Sequence, residues 1–320
     1  MFACIQGAIR TNRVIVVLME LNAKKALVII NGTAGTGKAG AVEDAVVEAL
    51  YSNGYEVSLS KIGSGENAVD DAGFTDDSGI VVCCGGDGTF NRIVNRYTDF
   101  ENAPAFAYIP CGLTNSFAKS LGLTEDAEAS IDNVLNGKSC RCDIGKINEH
   151  VFNYVASFAS ASSMNYVTSE QMKNVFGYSK YILRAIGELN MNMGDGFHMA
   201  IETDAGSFED DYFFGAISNL SVIDGTNLNN ESFKNNDGVM EMLLIRKPAS
   251  RSQAKEALKA LQDGSVDHPL IQISQIKKAS FISGSDIAWS FDGEFGGIQK
   301  EAELEVLKEA LTVLGGQQSA

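Results

Sequence analysis

The pattern of apolar and polar positions changes texture once along the chain. From Ala26, short β-rich apolar runs alternate with helical stretches: ALVII (26–30), a glycine-rich loop and AGAVEDAVVEALYSNG, then YEVSL (55–59), a polar helical stretch, GIVVCC (79–84) and AFAYIP (105–110). Strand, loop and helix in alternation predict a parallel sheet in a doubly wound α/β domain. After about Arg141 the segments IGKINEHVFNYVASFAS, HMAIETDAGSFEDDYFFGAISN, MEMLLIRKP, LIQISQIKKASFIS and IAWSFDGEFGG read as strands separated by turn residues. They predict a predominantly antiparallel second domain.

One helix is expected to interrupt those strands, beginning near Thr168 with Gln171 as capping partner. Its apolar stripe is Val175, Tyr178, Ile182, Ile186 and Leu189, and Lys173, Lys180 and Arg184 share another face. It reads as cover for the strands. The tail LEVLKEALTVL is expected to return to the first domain. The resulting division is residues 1–21 as a poorly ordered extension, with Met19 the working start; residues 22–142 with 306–316 as the α/β domain; and residues 143–305 as the second domain.

Composition narrows the chemistry. In 320 residues, 41 acids against 25 bases give a formal charge of −16, so broad attraction to nucleic acid or anionic lipid is excluded. A negatively charged ligand must be held locally, by backbone N–H groups at helix starts, placed cations or a metal. Cys4, Cys83, Cys84, Cys111, Cys140 and Cys142 match neither zinc-site nor CxxC spacing and read as reduced cytosolic thiols. No run approaches the roughly 18 to 20 apolar residues of a spanning helix.

Two glycine-rich turns follow the first and third strands, at the carboxyl ends where such sheets bind ligands. In NGTAGTGKA (31–39), Gly32, Gly37 and Lys38 fit GxxxxGK, but Ala39 stands where a Walker motif needs a hydroxyl on magnesium. A flexible phosphate-cradling loop is what remains. In VVCCGGDGTFNR (81–92), Gly85, Gly86 and Gly88 permit a sharp turn with exposed N–H groups, Thr89 adds a hydroxyl, and a helix start faces the same way. Asp87 in such a turn reads as a magnesium–phosphate ligand, direct or through water. Glu209, Asp210 and Asp211 read as a solvated edge, and His150, His198 and His268 receive no chemistry.

GGDGTFN, with NGTAGTGKA upstream and IPCGLTNSFAKSLG and WSFDGEFGG downstream, resembles the diacylglycerol kinase catalytic family of lipid kinases, which includes sphingosine and ceramide kinases. The resemblance runs from about Ala26 to Leu314. It implies an N-terminal α/β nucleotide-binding domain, a C-terminal antiparallel β-sandwich and a nucleotide cleft between them, with phosphate passing from ATP to a lipid hydroxyl, diacylglycerol first. Asn31, Gly32, Thr33, Ala34 and Gly35, then Gly86, Asp87, Gly88, Thr89, Phe90, Asn91 and Arg92, with Gly112 and Asn115, would line ATP. Asp292 and Glu294, on a tight Gly293 turn, provide the carboxylates that alcohol phosphorylation needs. Asp292 is ranked as base, Glu294 as its supporter or metal partner. Asp237, with the carbonyls of Lys234 and Val239, matches a structural magnesium position. The resemblance further implies a cytoplasmic protein meeting its lipid at the inner membrane face by peripheral contact, no nucleic-acid partner, and leaves a homodimer open.

The chain departs from that family's usual pattern. Asn31-Gly32 replaces Asn-Pro, Ala34 replaces a serine, Arg92 replaces an acid, Leu113 and Ser116 replace a threonine and an aspartate, Lys119 replaces an arginine, and Ala159 stands for a glycine. Leu113 cannot donate a hydroxyl hydrogen bond to phosphate, and Lys119 lacks the planar fork of arginine. An NAD kinase-like enzyme, sharing GGDGT, and a nucleotide- or lipid-binding relative with reduced or lost catalysis are the alternatives.

Overall fold

The computed structural model describes residues 24–34, 38–63, 74, 78–160, 196–219, 235–263, 265 and 267–316. The N-terminal extension, Gly35, Lys234, and the expected Thr168 helix with Lys173, Lys180 and Arg184 lie outside the described residues.

The first half alternates β1 (Lys24–Asn31), α1 (Lys38–Ser52), β2 (Tyr55–Ile62), β3 (Ile80–Gly85), α2 (Asp87–Val94), β4 (Ala105–Pro110), α3 (Ser116–Ser120) and α4 (Ala127–Asn136). The strands pair in parallel in the order β4-β3-β1-β2, with Val28 opposite Val82 and Cys83 opposite Tyr108. Successive strand residues point to opposite faces, and both faces are buried. Leu27, Ile29, Val81 and Cys83 pack with Phe90, Ile93 and Phe117 on one side. Ala26, Val28, Ile30, Val82 and Cys84 pack with Val42, Val46 and Leu50 of α1 on the other. Helices on both faces make this the doubly wound sheet that the apolar runs predict.

The second half runs β5 (Ser139–Ile147), β6 (His150–Phe152), β7 (Val155–Ser160), β8 (Phe197–Thr203), β9 (Gly206–Ser218), β10 (Met240–Arg246), α5 (Arg251–Gln262), β11 (Ile271–Ile276), β12 (Lys278–Phe291) and β13 (Glu294–Leu314). Except where β13 meets β4, its pairings are antiparallel. β9 and β12 are long enough to pair with β7 through one end and β8 through the other. Side chains from all four enter one core in which Trp289 lies 4.6 Å from the Phe158 ring and 5.4 Å from that of Phe281. Gly215 faces Phe158 across the β7–β9 ladder, and a Cβ there would meet the ring at 2.1 Å, so only glycine fits.

Helix α5 is absent from the reading of the sequence as strands, although its signals are present. Ser250 caps it by accepting from Gln253 N at 3.3 Å, the Gln253 side chain reaches back to Ala249 N at 2.9 Å, and Ala254, Ala257 and Leu261 are buried at helical spacing. Glu209, Asp210 and Asp211 lie where β9 is laddered with β8 alone, its pairing with β10 beginning at Tyr212, and Glu209 and Asp211 are exposed, as the reading of a solvated edge expects. Asp210 meets Arg246 Nε at 2.7 Å, and the His198 ring bonds Asp211 and Glu209 across the β8–β9 ladder.

The two halves are joined by shared strands. β13 pairs first with β12, then antiparallel with β5 from Leu304 to Leu314, and its end adds parallel to β4 through Val313 and Leu314. Boundaries at 142/143 and 305/306 therefore fall inside β5 and β13. The β13–β5 register shifts between Leu307 and Leu311, around Glu309 at φ +49°. Asp143, fully buried on β5, supports that irregularity: its carboxylate accepts from Glu309 N and Gly238 N, each at 2.6 Å.

Replacing Asp143 by alanine would leave two buried N–H groups without an acceptor. The expected loss is about 2–3 kcal/mol of folding stability, read as a lowered urea midpoint, with the exposed Asp132→Ala as the unaffected comparison.

Candidate active site

Three turns meet where the parallel sheet ends. The first follows β3: Gly85 closes the strand, Gly86 caps α2 with no side-chain hydrogen bond, and Asp87 begins the helix. The second follows β4, where Cys111 N donates to Gly85 O at 2.7 Å. A Cβ on Gly112 would lie 2.7 Å from the Gly86 Cα, so the two backbones pack in a contact that only glycine allows. The third is the β12–β13 hairpin. Phe291 pairs with Glu294 across a two-residue turn of Asp292 (φ +50°) and Gly293 (φ +87°), a geometry that Asp-Gly serves well. It brings the Glu294 Oε1 within 3.3 Å of where a Gly88 Cβ would stand.

The acids divide by what they touch. The Asp87 carboxylate accepts from Ser116 N at 2.7 Å, Phe117 N at 3.1 Å and the Tyr108 hydroxyl at 3.2 Å. It is turned into the start of α3, where the carboxylate ties the first turn to the second. Burial pushes its carboxyl above the ordinary value, while those donors and Lys119 pull it back. Asp292 is buried. Its Oδ2 accepts from Asn91 Nδ2 at 2.7 Å and Asn153 N at 2.8 Å, and its Oδ1 from Tyr154 N and Val155 N, each at 3.0 Å. Glu294 is only half buried and lies beside Gly88 at the start of α2.

The remaining expected residues fall into two groups. Asn31, at the end of β1, donates from Nδ2 to Thr89 Oγ1 at 2.8 Å and accepts through Oδ1 from Thr33 N and Thr33 Oγ1, so it orders both the first loop and the Thr89 hydroxyl. Ala34 N closes that loop onto Asn31 O, and Gly32 N donates to Ile62 O. Asn91 and Arg92 are half exposed on α2. Phe90, by contrast, is fully buried with its ring 4.8 Å from that of Tyr108, so its side chain belongs to the core and lines no ligand. Asn115, at φ +50° and 2% exposed, accepts from Gly112 N and donates to Gly112 O; it shapes the second turn from within. Lys119 spans Thr114 O at 2.7 Å and Glu125 at 3.1 Å.

Asp237 stands apart from these turns, its Oδ1 accepting from Val239 N at 3.1 Å. Among the described residues no group of three or more His, Cys, Asp or Glu side chains is placed to hold a metal ion. The buried Asn235 Oδ1 has no hydrogen-bond partner among the described residues, and burial with the Asp237 charge raises both Asp143 and Glu241, the latter to about 8. Tyr108, Glu125, Asp143, Asn153, Tyr154 and Glu241 were not singled out by the sequence. Their signal is long-range contact.

Comparison with known proteins agrees with this geometry. The profile of the diacylglycerol kinase catalytic domain matches residues 25–147. A diacylglycerol kinase of Staphylococcus aureus (strain MRSA252) is 26% identical over 282 residues, covering 86% of this chain and 87% of that protein. One of Staphylococcus epidermidis (strain RP62A) is 26% identical over 279 residues with the same coverage. A solved Bacillus anthracis structure described as a diacylglycerol kinase superposes with a TM-score of 0.67 at 17% identity, and a second from that organism with 0.73 at 18%. Each covers 92% of this chain and 97% of its own, which shows the shared fold.

The Asp292 carboxyl is pushed up to about 6 by burial, against the pull of the Asn153, Val155 and Tyr154 N–H groups, with the Asp87 charge adding to the rise. Because folding raises this group from near 3.8, its contribution is complete below about pH 4 and is lost as pH rises through about 6, on the order of 3 kcal/mol in all. Denaturant midpoints between pH 4 and 7 should fall with that profile, and Asp292→Asn should remove this part of the slope.

Proposed function

We propose that this chain, whose residues 25–147 match the diacylglycerol kinase catalytic domain, belongs to that family and transfers the γ-phosphate of ATP to the hydroxyl of a lipid, diacylglycerol being the first acceptor to test. The observation that carries this reading is the half-buried Glu294 carboxylate set beside Gly88 at the uncapped N-terminus of α2. An uncapped helix start offers N–H groups to a phosphate, and a carboxylate beside it can accept the proton of an attacking alcohol.

The residues divide the work accordingly. Backbone N–H groups of Asp87 to Thr89 receive phosphate oxygens, and the Thr89 hydroxyl, which accepts from Asn31, has its own hydrogen to donate. Glu294 takes the proton of the lipid hydroxyl as its oxygen bonds to the γ-phosphorus; the bond to the bridging oxygen breaks and ADP carries that oxygen away. Asp292, with four donors on its two oxygens, holds the hairpin tip rather than moving a proton. This reverses the ranking of the two carboxylates drawn from sequence. Magnesium would offset phosphate charge during transfer, and a second, structural ion would be held by Asp237 with the Lys234 and Val239 carbonyls.

A lipid acceptor is supported by Phe295 and Ile298, 58% and 55% exposed directly after Glu294. Among the described residues no helix is long and apolar enough to cross a membrane, and peripheral contact at the cytoplasmic face is the proposed mode of access. The antiparallel half is read as a β-sandwich that carries the acceptor side of the cleft.

The test is transfer of radiolabel from ATP to diacylglycerol, a sphingoid base or NAD. Transfer to diacylglycerol is expected, and Glu294→Gln should lower kcat by about 10²- to 10⁴-fold with an unchanged urea midpoint. Asp292→Asn should lower activity and the midpoint together. ATP binding without transfer to any acceptor would overturn the reading.

A further inference from the structure

We propose that Asn95 is a positioning residue for this reaction, the far member of a closed ring of hydrogen bonds that fixes Glu294 relative to the start of α2. It rests on the lipid-kinase reading above for its kinetic consequence, and on geometry alone for its structural one.

The ring begins on α2. Asn95, the C-cap residue, lies one helical turn beyond Asn91, so both amides face the same neighbour. That neighbour is Val151 on β6, in the other half of the molecule. Asn95 pairs with it as a second strand would, donating from Nδ2 to Val151 O and accepting at Oδ1 from Val151 N, both at 2.8 Å. The Asn91 Nδ2 also donates to Val151 O, at 3.0 Å. From Val151 the chain runs two to four residues to the N–H groups of Asn153, Tyr154 and Val155, which hold the Asp292 carboxylate. Asp292 closes the ring onto Asn91 Nδ2 at 2.7 Å.

Asn95 also contributes to which way Asn91 points, together with Val151 O and Asp292. Its Nδ2 lies 3.1 Å from Asn91 Oδ1 and 2.9 Å from Asn91 O. An amide whose oxygen is claimed on one side must offer its NH2 on the other, and that other side is the Asp292 carboxylate. Without Asn95 the Asn91 amide loses one of the three partners that favour this orientation, the Val151 carbonyl and the Asp292 carboxylate being the others. Glu294 is two residues beyond Asp292 on the same tight turn, and Gly88 is three before Asn91 on the same helix. The ring is therefore the frame in which the separation of Glu294 and the phosphate-facing N–H groups is set.

Asn95 touches no reacting atom in this arrangement. Its removal is expected to reduce kcat rather than the affinity for ATP, because misplacement of a reacting group by an ångström costs on the order of ten- to hundredfold in rate.

The experiment uses Asn95→Leu, which keeps volume at a half-buried helix end but makes none of the bonds, with Asn95→Ser should the leucine variant not fold. Amide exchange at Asn153, Tyr154 and Val155 should quicken by about tenfold while Val81 and Val82 in the parallel sheet exchange as before. In the kinase assay kcat should fall at least about tenfold per folded molecule with KM for ATP unchanged, and Asn91→Ala combined with it should cost no more than the worse single change, since both break one ring. Unchanged exchange at Asn153 to Val155, or unchanged kcat in folded protein, or additive losses in the double variant, would each overturn the role of Asn95. Absence of activity in the wild-type chain toward every acceptor would instead overturn the kinase reading, and the exchange result would still decide the ring.

Discussion

A carboxylate buried where two folding units meet is expensive unless every lone pair finds a donor. Asp292 meets that condition with an asparagine from the α/β half and three successive backbone N–H groups from the bend between β6 and β7 and the first residue of β7. The hairpin turn that carries it, with two residues at positive φ, is the shape that presents both oxygens at once. The rest of the site hangs on that turn. It places Glu294 beside the GGDG loop and obliges the N-terminal helix and the C-terminal strands to keep one relative position.

The same logic recurs at two further acids, the half-buried Asp87 and the fully buried Asp143. Asp87 ties the turn after β3 to the helix after β4 through Ser116, Phe117 and Tyr108. Asp143 ties β5 to the Glu309 irregularity and to the Asp237 turn. Each is an acceptor for backbone N–H groups that the fold would otherwise bury unpaired. In a protein of net charge −16, carboxylates are the plentiful acceptor, and these three staple irregular backbone rather than face solvent. Asp87 and Asp292 also concentrate negative charge near a proposed phosphate site. Donors from helix starts, together with Lys119 on Glu125, keep that charge local.

Much of the fold was legible because its signals are local. ALVII, GIVVCC and AFAYIP are continuous apolar runs, and a strand buried on both faces must be such a run. The glycines of GGDGT announce a turn, and they are required there: Gly86 and Gly112 pack backbone to backbone, and Gly88 leaves room for Glu294. Helix α5 went unread despite its Ser250 cap, because SQAKEALKALQ lies between two strand-like runs and has mostly small or polar residues on its faces. Phe90 was assigned to the ligand through its place in a motif, yet at a helical position facing the sheet it could only enter the core.

The sequence by itself determined the two textures, the glycine turns and the identity of the acids, since each depends on residue type and short spacing. Tertiary structure decided what those acids do. That Asp292 is the carboxylate held by backbone depends on Asn91, Asn153, Tyr154 and Val155, which stand 137 to 201 residues away and approach only when β12 pairs with β7 and α2 meets β6. Four donors hold the Asp292 carboxylate, and Glu294, two positions on, lies beside Gly88. No local pattern distinguishes them, because both are acids on one hairpin, and only the donors brought by the other strands do.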